Sequence, residues 1–160
     1  MSDEQIGFDI EFDDKTQAFL EWVKPEHMES GIRKFLGETL GGVADYDSDA
    51  WWKQPTLERV MNVAKERLGN RAGFYSEENR EVADQFVRFL GECYVRRAGM
   101  EWTNRPDWSG PLYPEFGPGV KHGDDVRRVA LIAEDLVDDK FGGPSSIEYN
   151  ISDAVKLHAS

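Results

Sequence analysis

The sequence predicts a mostly helical α+β fold, with four or five helices around one core and a small β-hairpin or sheet. Apolar residues recur at intervals of three and four over long stretches, which is the period of an amphipathic helix. After Gly99, aromatic residues are mixed with Gly and Pro, which is typical of short strands and turns. With 160 residues, of which 39% are hydrophobic, the chain is expected to form a single acidic globular domain over 1–160.

Residues 1–14 differ from the rest of the chain because their apolar side chains alternate with other residues. Ile6, Phe8, Ile10 and Phe12 occupy every second position. A period of two predicts a half-buried strand, and the same pattern suits an extended arm that becomes ordered on a partner. Both interpretations stay open for this segment.

Five helices are predicted from the apolar spacing and from residues that favour helix ends. Asp, Ser and Pro are common where a helix begins, and Gly is common just after its end. Apolar stripes bordered by such residues predict helices over 14–22, 25–40, 55–68, 77–98 and 124–137.

The remaining elements are predicted to be extended. Two short strands, 100–103 and 110–113, are expected with a turn between them. The segment 114–123 contains too many Gly and Pro residues for a regular element. Residues 147–151 follow a Gly-Gly-Pro break and are expected to form a strand or an extended tail.

The charge balance excludes several classes of function. Nineteen Lys and Arg residues against 31 Asp and Glu residues give a net charge of −12. Direct binding to nucleic acid or to an anionic membrane is therefore not expected, because both surfaces are negatively charged. The acidic start does not resemble a secretory or transit peptide, and no apolar run reaches the length of a membrane span, so a cytoplasmic protein is expected.

No motif for catalysis, for a cofactor or for a metal is evident. The three histidines lack the spacing of a zinc site, and one cysteine cannot supply a thiolate cluster. The glycine pairs match no phosphate-binding loop, and no serine lies in a nucleophile elbow. We therefore expect a protein that is not an enzyme and that uses no cofactor.

Asp45, Asp47 and Asp49 have the alternation with which a calcium-binding loop begins. The sixth position of such a loop would be Ala50 instead of Gly, and the twelfth would be Thr56 instead of Glu. A solvated acidic loop is the expectation, with no calcium site.

Cys93 is expected to be buried and unreactive. It lies on the inward face of the predicted helix 77–98, where Phe86, Phe89 and Leu90 also point.

Four of the tryptophans, Trp51, Trp52, Trp102 and Trp108, fall outside the helical stripes. Such rings either cover the edge of a small core or anchor a partner protein. Core burial is the favoured interpretation, and the anchoring role stays open.

The candidate partner-binding site combines an acidic loop with two of these rings. Residues 1–50 contain thirteen acidic side chains against four basic ones, so the acidic charge is concentrated there. Asp45, Asp47 and Asp49 supply charge that attracts a basic partner, and Trp51 and Trp52 supply rigid aromatic contact area.

In residues 85–102, a predicted helix with an internal Gly91-Glu92 pair is followed by a turn at Gly99 and then by a predicted strand that contains Trp102. This segment resembles small, uncharacterised proteins of actinobacteria, some of which look like cytoplasmic immunity proteins against secreted toxins. The likeness covers about 77–115. It implies that Gly91 permits a close helix crossing and that Trp102 seals the hairpin, and it assigns no functional residue.

Three functions are compatible with these observations. The first is an immunity factor or inhibitor that covers the basic site of a toxin or enzyme. The second is an acidic mimic of nucleic acid that inhibits a DNA- or RNA-binding protein. The third is an enzyme whose site is assembled from residues distant in the sequence, and this is the hypothesis with the least support.

Overall fold

A computed structural model describes residues 14–39 and 49–159 of the chain. Seven α-helices and three strands occur in these ranges, so the mostly helical α+β prediction is confirmed. The helices are α1 (14–22), α2 (Pro25–Thr39), α3 (Thr56–Leu68), α4 (Arg71–Phe74), α5 (Arg80–Ala98), α6 (Val129–Val137) and α7 (Ile147–Ala159). The strands are β1 (Glu101–Asn104), β2 (Pro118–His122) and β3 (Asp125–Arg128). The alternating pattern predicted to be a strand or arm, over 1–14, lies outside the described residues apart from Asp14.

Helix α5 is the centre of the fold, because α2, α6, α7 and the sheet all pack against it. The middle of α5 is buried on most sides of the helix. Its two ends are amphipathic, with one buried and one exposed face. Phe86, Phe89, Leu90 and Tyr94 are fully buried there and belong to one cluster of core residues. Cys93 is buried in the same cluster, as predicted.

The sheet has the antiparallel order β1-β2-β3, with Trp102 opposite Val120 and Val120 opposite Arg127. The prediction that 110–113 forms the strand beside β1 is wrong. The strand that pairs with β1 is β2, which lies within the segment 114–123 that was expected to be irregular. A Cβ atom at Gly119 would lie 2.8 Å from the Trp108 ring and 2.9 Å from the Arg127 carbonyl oxygen. The glycine is therefore needed for close approach of a ring and a strand, and not for a turn.

Two further boundaries differ from the prediction. Residues 125–128 form β3 instead of the first turn of a helix, and α6 begins only at Val129. Residues 147–159 form the helix α7, whose Ile147, Ile151 and Ala154 are fully buried. Their spacing of four and three is helical, although the β-branched start of this segment favours a strand.

Gly91 has a different role from the one expected. A Cβ atom at this position would lie 1.9 Å from Cη2 of Trp102, so the glycine forms a notch that receives the indole ring. Trp102 also donates a hydrogen bond from Nε1 to Glu92 Oε2 over 2.8 Å. The close approach is thus between helix α5 and a ring on β1, and not between two helices.

Within the described ranges, none of the helices combines the length and the apolar character needed to cross a bilayer.

Candidate functional site

The structure describes three of the five residues that were predicted to bind a partner. Asp45 and Asp47 lie outside the described residues, and Asp49 begins a short 3₁₀ helix, Asp49–Trp52. Trp51 is half-buried against the core. Trp52 is 2% exposed, so its ring has almost no surface that a partner could contact, and the assignment of these five residues to partner binding stays a prediction.

Trp52 is a core residue because its ring is covered on two sides. It stacks on Phe89 with the ring centroids 4.9 Å apart and an angle of 18° between the planes. The Arg96 guanidinium lies 4.2 Å from the centroid of the same ring. These contacts confirm the favoured expectation for this tryptophan, namely that it covers the core.

A different surface combines acidic and aromatic residues. It is a cleft of about 740 Å³ that we call the acidic cleft. Three parts of the chain form its walls, namely the end of α1, the first two turns of α5 with the residues just before them, and the loop after β1. The lining residues used below are Trp22, Glu77, Glu78, Arg80, Glu81, Asp84, Tyr113, Glu115 and Phe116.

Aromatic side chains form the floor of the acidic cleft. The Trp22 centroid is 5.4 Å from that of Tyr113 and 5.7 Å from that of Phe116. Tyr113 and Phe116 are themselves 5.3 Å apart, and both are buried. Trp22 is half-buried, so the accessible aromatic surface of the cleft is mainly this indole.

Asp84 fixes the positions of these rings. Its Oδ1 atom accepts hydrogen bonds from Trp22 Nε1 over 2.8 Å and from the Tyr113 hydroxyl over 2.6 Å. Arg88 Nε donates to Oδ2 over 3.0 Å, and Arg88 also donates to the Trp22 carbonyl oxygen over 2.8 Å. Burial and the nearby Asp84 charge raise the pKa of Tyr113 well above its ordinary value, so this phenol stays a hydrogen-bond donor.

The rim of the acidic cleft has more negative than positive charge. Five carboxylates line the cleft, against one cation, Arg80. Asp84 is satisfied internally, and Glu81 pairs with Lys34 outside the cleft. Glu77, Glu78 and Glu115 are exposed and form no ion pair with any residue that the structure describes. These three charges are therefore available to a cationic ligand.

The acidic cleft has the charge and the aromatic surface that suit a cation. Its lining contains no Ser, Cys, His or Lys side chain. Acidic groups attract a guanidinium or ammonium group, and an aromatic ring supplies a favourable surface for the same cation. The Arg88 guanidinium already lies 4.4 Å from the Trp22 ring centroid, so a ligand has the remaining accessible surface of this indole.

A second polar cluster joins α7 to the sheet. His158 Nε2 lies 2.7 Å from Asp125 Oδ2, and His158 Nδ1 lies 2.8 Å from the Ala98 carbonyl oxygen. The His122 ring stacks on His158 at 4.1 Å between centroids. Although burial opposes it, hydrogen bonds from Arg127 and His158 lower the pKa of Asp125. The cluster ties helix to strand, and among the described residues no group of three or more His, Cys, Asp and Glu is placed to bind a metal.

The acidic cleft was not predicted from the sequence. Its carboxylates stood among 31 acidic residues, and Trp22 and Tyr113 are far apart along the chain. One signal was present: Glu77, Glu78, Glu81 and Asp84 are concentrated where the predicted helix 77–98 begins. Such a concentration is also what the helix dipole favours, and it did not by itself indicate a site.

Comparisons with models of protein families, with curated proteins and with solved structures find no match to this chain.

Proposed function

We propose that this chain is a cytoplasmic, non-enzymatic binding protein that holds a basic protein partner through the acidic cleft. The partner class that suits it best is a toxin or enzyme with a cationic substrate site, which an immunity factor or inhibitor would cover. The observation that carries the proposal is the combination of the Trp22 indole, in one cleft, with three exposed carboxylates that pair with no described cation, namely Glu77, Glu78 and Glu115.

The charge of the whole molecule supports the same conclusion. A net charge of −12 attracts a basic partner over a distance and raises the rate of encounter. The cleft then supplies what the long-range charge lacks, namely a defined shape with an aromatic floor fixed by Asp84. Charge increases the rate of association, whereas buried aromatic contact slows dissociation.

Cation recognition is tested with an arginine-rich nonapeptide and with the same peptide in which citrulline, its neutral isostere, replaces arginine. The readout is the indole N–H signal of Trp22 in ¹⁵N-labelled protein, one of five such signals, assigned with the Trp22→Phe variant. We expect the arginine peptide to shift this signal saturably and the citrulline peptide to leave it in place. Equal shifts with both peptides would contradict the proposal.

A triple variant measures the contribution of the rim. Glu77→Gln, Glu78→Gln and Glu115→Gln together should weaken peptide binding about tenfold, at about 0.5 kcal/mol for each exposed pair. The matched control is Glu66→Gln, Asp124→Asn and Asp153→Asn, which changes the net charge equally at exposed positions outside the cleft. If the control weakens binding as much as the triple variant, only the overall charge matters and the cleft is not the site.

The inhibitory role is tested by co-expression in a bacterial host with toxin domains of the nuclease and NAD-degrading classes. We expect growth to be restored against a toxin whose substrate site is cationic. The rim variant should lose this protection, and the control triple should keep it. Protection by both variants would assign inhibition to another surface.

A further inference from the structure

A second cleft, of about 360 Å³, lies between α5, α6, the loop 139–143 and the start of α7. Its size is at the lower end of the range for pockets that hold small molecules. Its polar groups are mainly hydrogen-bond donors, in contrast to those of the acidic cleft. Its lining includes Tyr94, Arg127, Arg128, Leu131, Lys140 and Phe141. We call it the basic cleft.

Two buried donors in the basic cleft have no hydrogen-bond acceptor among the residues that the structure describes. The Tyr94 hydroxyl and Arg128 Nε are both shielded from solvent and donate to no described acceptor, although the Arg127 guanidinium lies close enough to the Tyr94 oxygen to lower the pKa of this phenol and so oppose the effect of burial. Burial raises the pKa of Tyr94 to about 12, so the phenol keeps its hydrogen at neutral pH. Buried donors without acceptors are uncommon in folded proteins, because their lost hydration is not replaced. An acceptor oxygen from a ligand would satisfy both.

The charges around the basic cleft differ in how they are compensated. Arg127 is neutralised by Asp125, at 3.2 Å, and Lys140 lies 3.5 Å from Asp138. Arg128 donates to the Trp108 carbonyl oxygen over 3.1 Å and forms no ion pair with the residues that the structure describes. The guanidinium of Arg128 is thus the cation available for a ligand in this cleft.

Asp135 also lines the basic cleft and would oppose an anion when it is ionised. Burial, and then the neighbouring Glu134 charge, raise the pKa of Asp135.

An exposed apolar rim borders these donors. Phe141 is 85% exposed and Leu131 is 42% exposed, and both line the cleft. Phe141 has a φ angle of 53°, and Asp139 two residues earlier has 59°. Left-handed backbone is unfavourable for a phenylalanine, so the surrounding structure holds the exposed Phe141 ring at this place beside the cleft.

We propose that the basic cleft binds a small amphipathic anion, in which a carboxylate accepts from Arg128 and Tyr94 while an aromatic or branched apolar body packs on Leu131 and Phe141. The carboxylate supplies acceptor oxygens for the Arg128 and Tyr94 donors. The volume admits about one ring with its acidic substituent, which is consistent with a small metabolite or effector.

The probe is 4-(trifluoromethyl)benzoate, observed by ¹⁹F NMR, and its neutral isostere is 4-(trifluoromethyl)benzamide. We expect saturable binding of the benzoate and binding of the benzamide at least tenfold weaker. Inorganic phosphate at millimolar concentration should displace little of the benzoate, because it has no apolar body. Equal binding of the benzoate and the benzamide, or full displacement by phosphate, would overturn the proposal.

Tyr94→Phe is the decisive variant, since it removes only a buried hydroxyl that donates to no acceptor in the described part of the chain. The variant should keep or raise the melting temperature and should weaken benzoate binding about tenfold. Tyr149→Phe makes the same change at an exposed tyrosine that does not line the cleft, and should alter neither quantity.

Phe141→Ala should also weaken benzoate binding several-fold, whereas Leu157→Ala, at an exposed apolar position outside the cleft, should not. Unchanged affinity in Tyr94→Phe would show that the benzoate binds without this hydroxyl, and no benzoate binding by the unaltered protein at millimolar concentration would show that the cleft does not take such an anion. Either result would overturn the proposal.

Discussion

At the scale of single residues, the structure separates two adjacent tryptophans that the sequence presents as equivalent. Trp52 is enclosed by Phe89 and Arg96, whereas Trp51 is half-buried at the edge of the core. The sequence predicted that such rings either cover the core or anchor a partner. The sequence could not assign the two roles, because they depend on which of the two rings packs against α5 in the folded protein.

Trp52→Ala should reduce the free energy of unfolding by about 3–5 kcal/mol, the usual range for removing a buried aromatic ring. Trp51→Ala should cost clearly less, because this ring is already partly solvated. Urea denaturation of both variants checks the difference. Equal losses would show that Trp51 is as much a core residue as Trp52.

Glu148 makes stability depend on pH. It accepts two hydrogen bonds from Arg97, at 2.5 and 2.8 Å, and these lower its pKa below the ordinary value of 4.5. The pair therefore stabilises the folded state fully above pH 4.5, and this contribution is lost as the pH falls through the lower folded pKa.

Glu148→Gln should accordingly lower the free energy of unfolding at pH 7 by about 1 kcal/mol, a modest value because the carboxylate is partly exposed. The difference from the unaltered protein should shrink at pH 3.5. Glu66→Gln, at an exposed position, is the control. A difference that stays constant between the two pH values would contradict the assigned role of the charge.

At the scale of elements, the notch at Gly91 determines how β1 packs on α5. Any side chain at position 91 must displace the Trp102 ring, whose Cη2 atom would lie 1.9 Å from a Cβ atom. The ring cannot move freely, because its Nε1 atom donates a hydrogen bond to Glu92 Oε2.

Gly91→Ala should therefore destabilise the protein by about 1–3 kcal/mol, the usual range for overpacking a core. Gly37→Ala is a matched control, because Gly37 lies in α2 with nothing within 4 Å of a Cβ atom. That change should stabilise by about 0.5–1 kcal/mol through helix propensity. Thermal denaturation of both variants distinguishes the two glycines. Stabilisation by Gly91→Ala would show that the notch does not exist.

The predictability of the elements follows the same physics. The helices α1, α2, α3 and α5 were predicted because apolar spacing and helix-end residues agree there. Strand β2 was not predicted, because Gly117, Pro118 and Gly119 have the composition of a turn. The two glycines are required there because Trp108 packs closely against them. That contact joins residues that a local pattern does not relate.

At the scale of the whole molecule, the distribution of charge governs encounter with a partner. The partner-binding role of Asp45, Asp47 and Asp49 remains a prediction of the sequence. Exposed charges act over about a Debye length, roughly 10 Å at 0.1 M salt, so their effect belongs to association and fades with salt.

Replacing Asp45, Asp47 and Asp49 with Asn should slow association with the arginine-rich peptide several-fold at low salt and leave dissociation nearly unchanged. Stopped-flow or surface-based kinetics at 20 and 300 mM salt checks this, with the Glu66, Asp124 and Asp153 triple as control. An association rate equal to that of the unaltered protein at 20 mM salt would make the loop a solubility feature only.

Asp84 connects α5 with α1 and with the loop after β1 through hydrogen bonds, and this affects local unfolding. Helix α1 reaches α5 through Trp22, and the loop after β1 reaches it through Tyr113, and both meet at one carboxylate oxygen. The opening free energy of α1 is then determined more by Asp84 than by the helix itself, which at 14–22 is too short to be stable alone. In Asp84→Ala, hydrogen exchange of the α1 amides should accelerate by orders of magnitude while that of the α3 amides stays nearly constant. The walls of the acidic cleft would thus assemble and open as a unit, so that an intact cleft reports an ordered N-terminal helix.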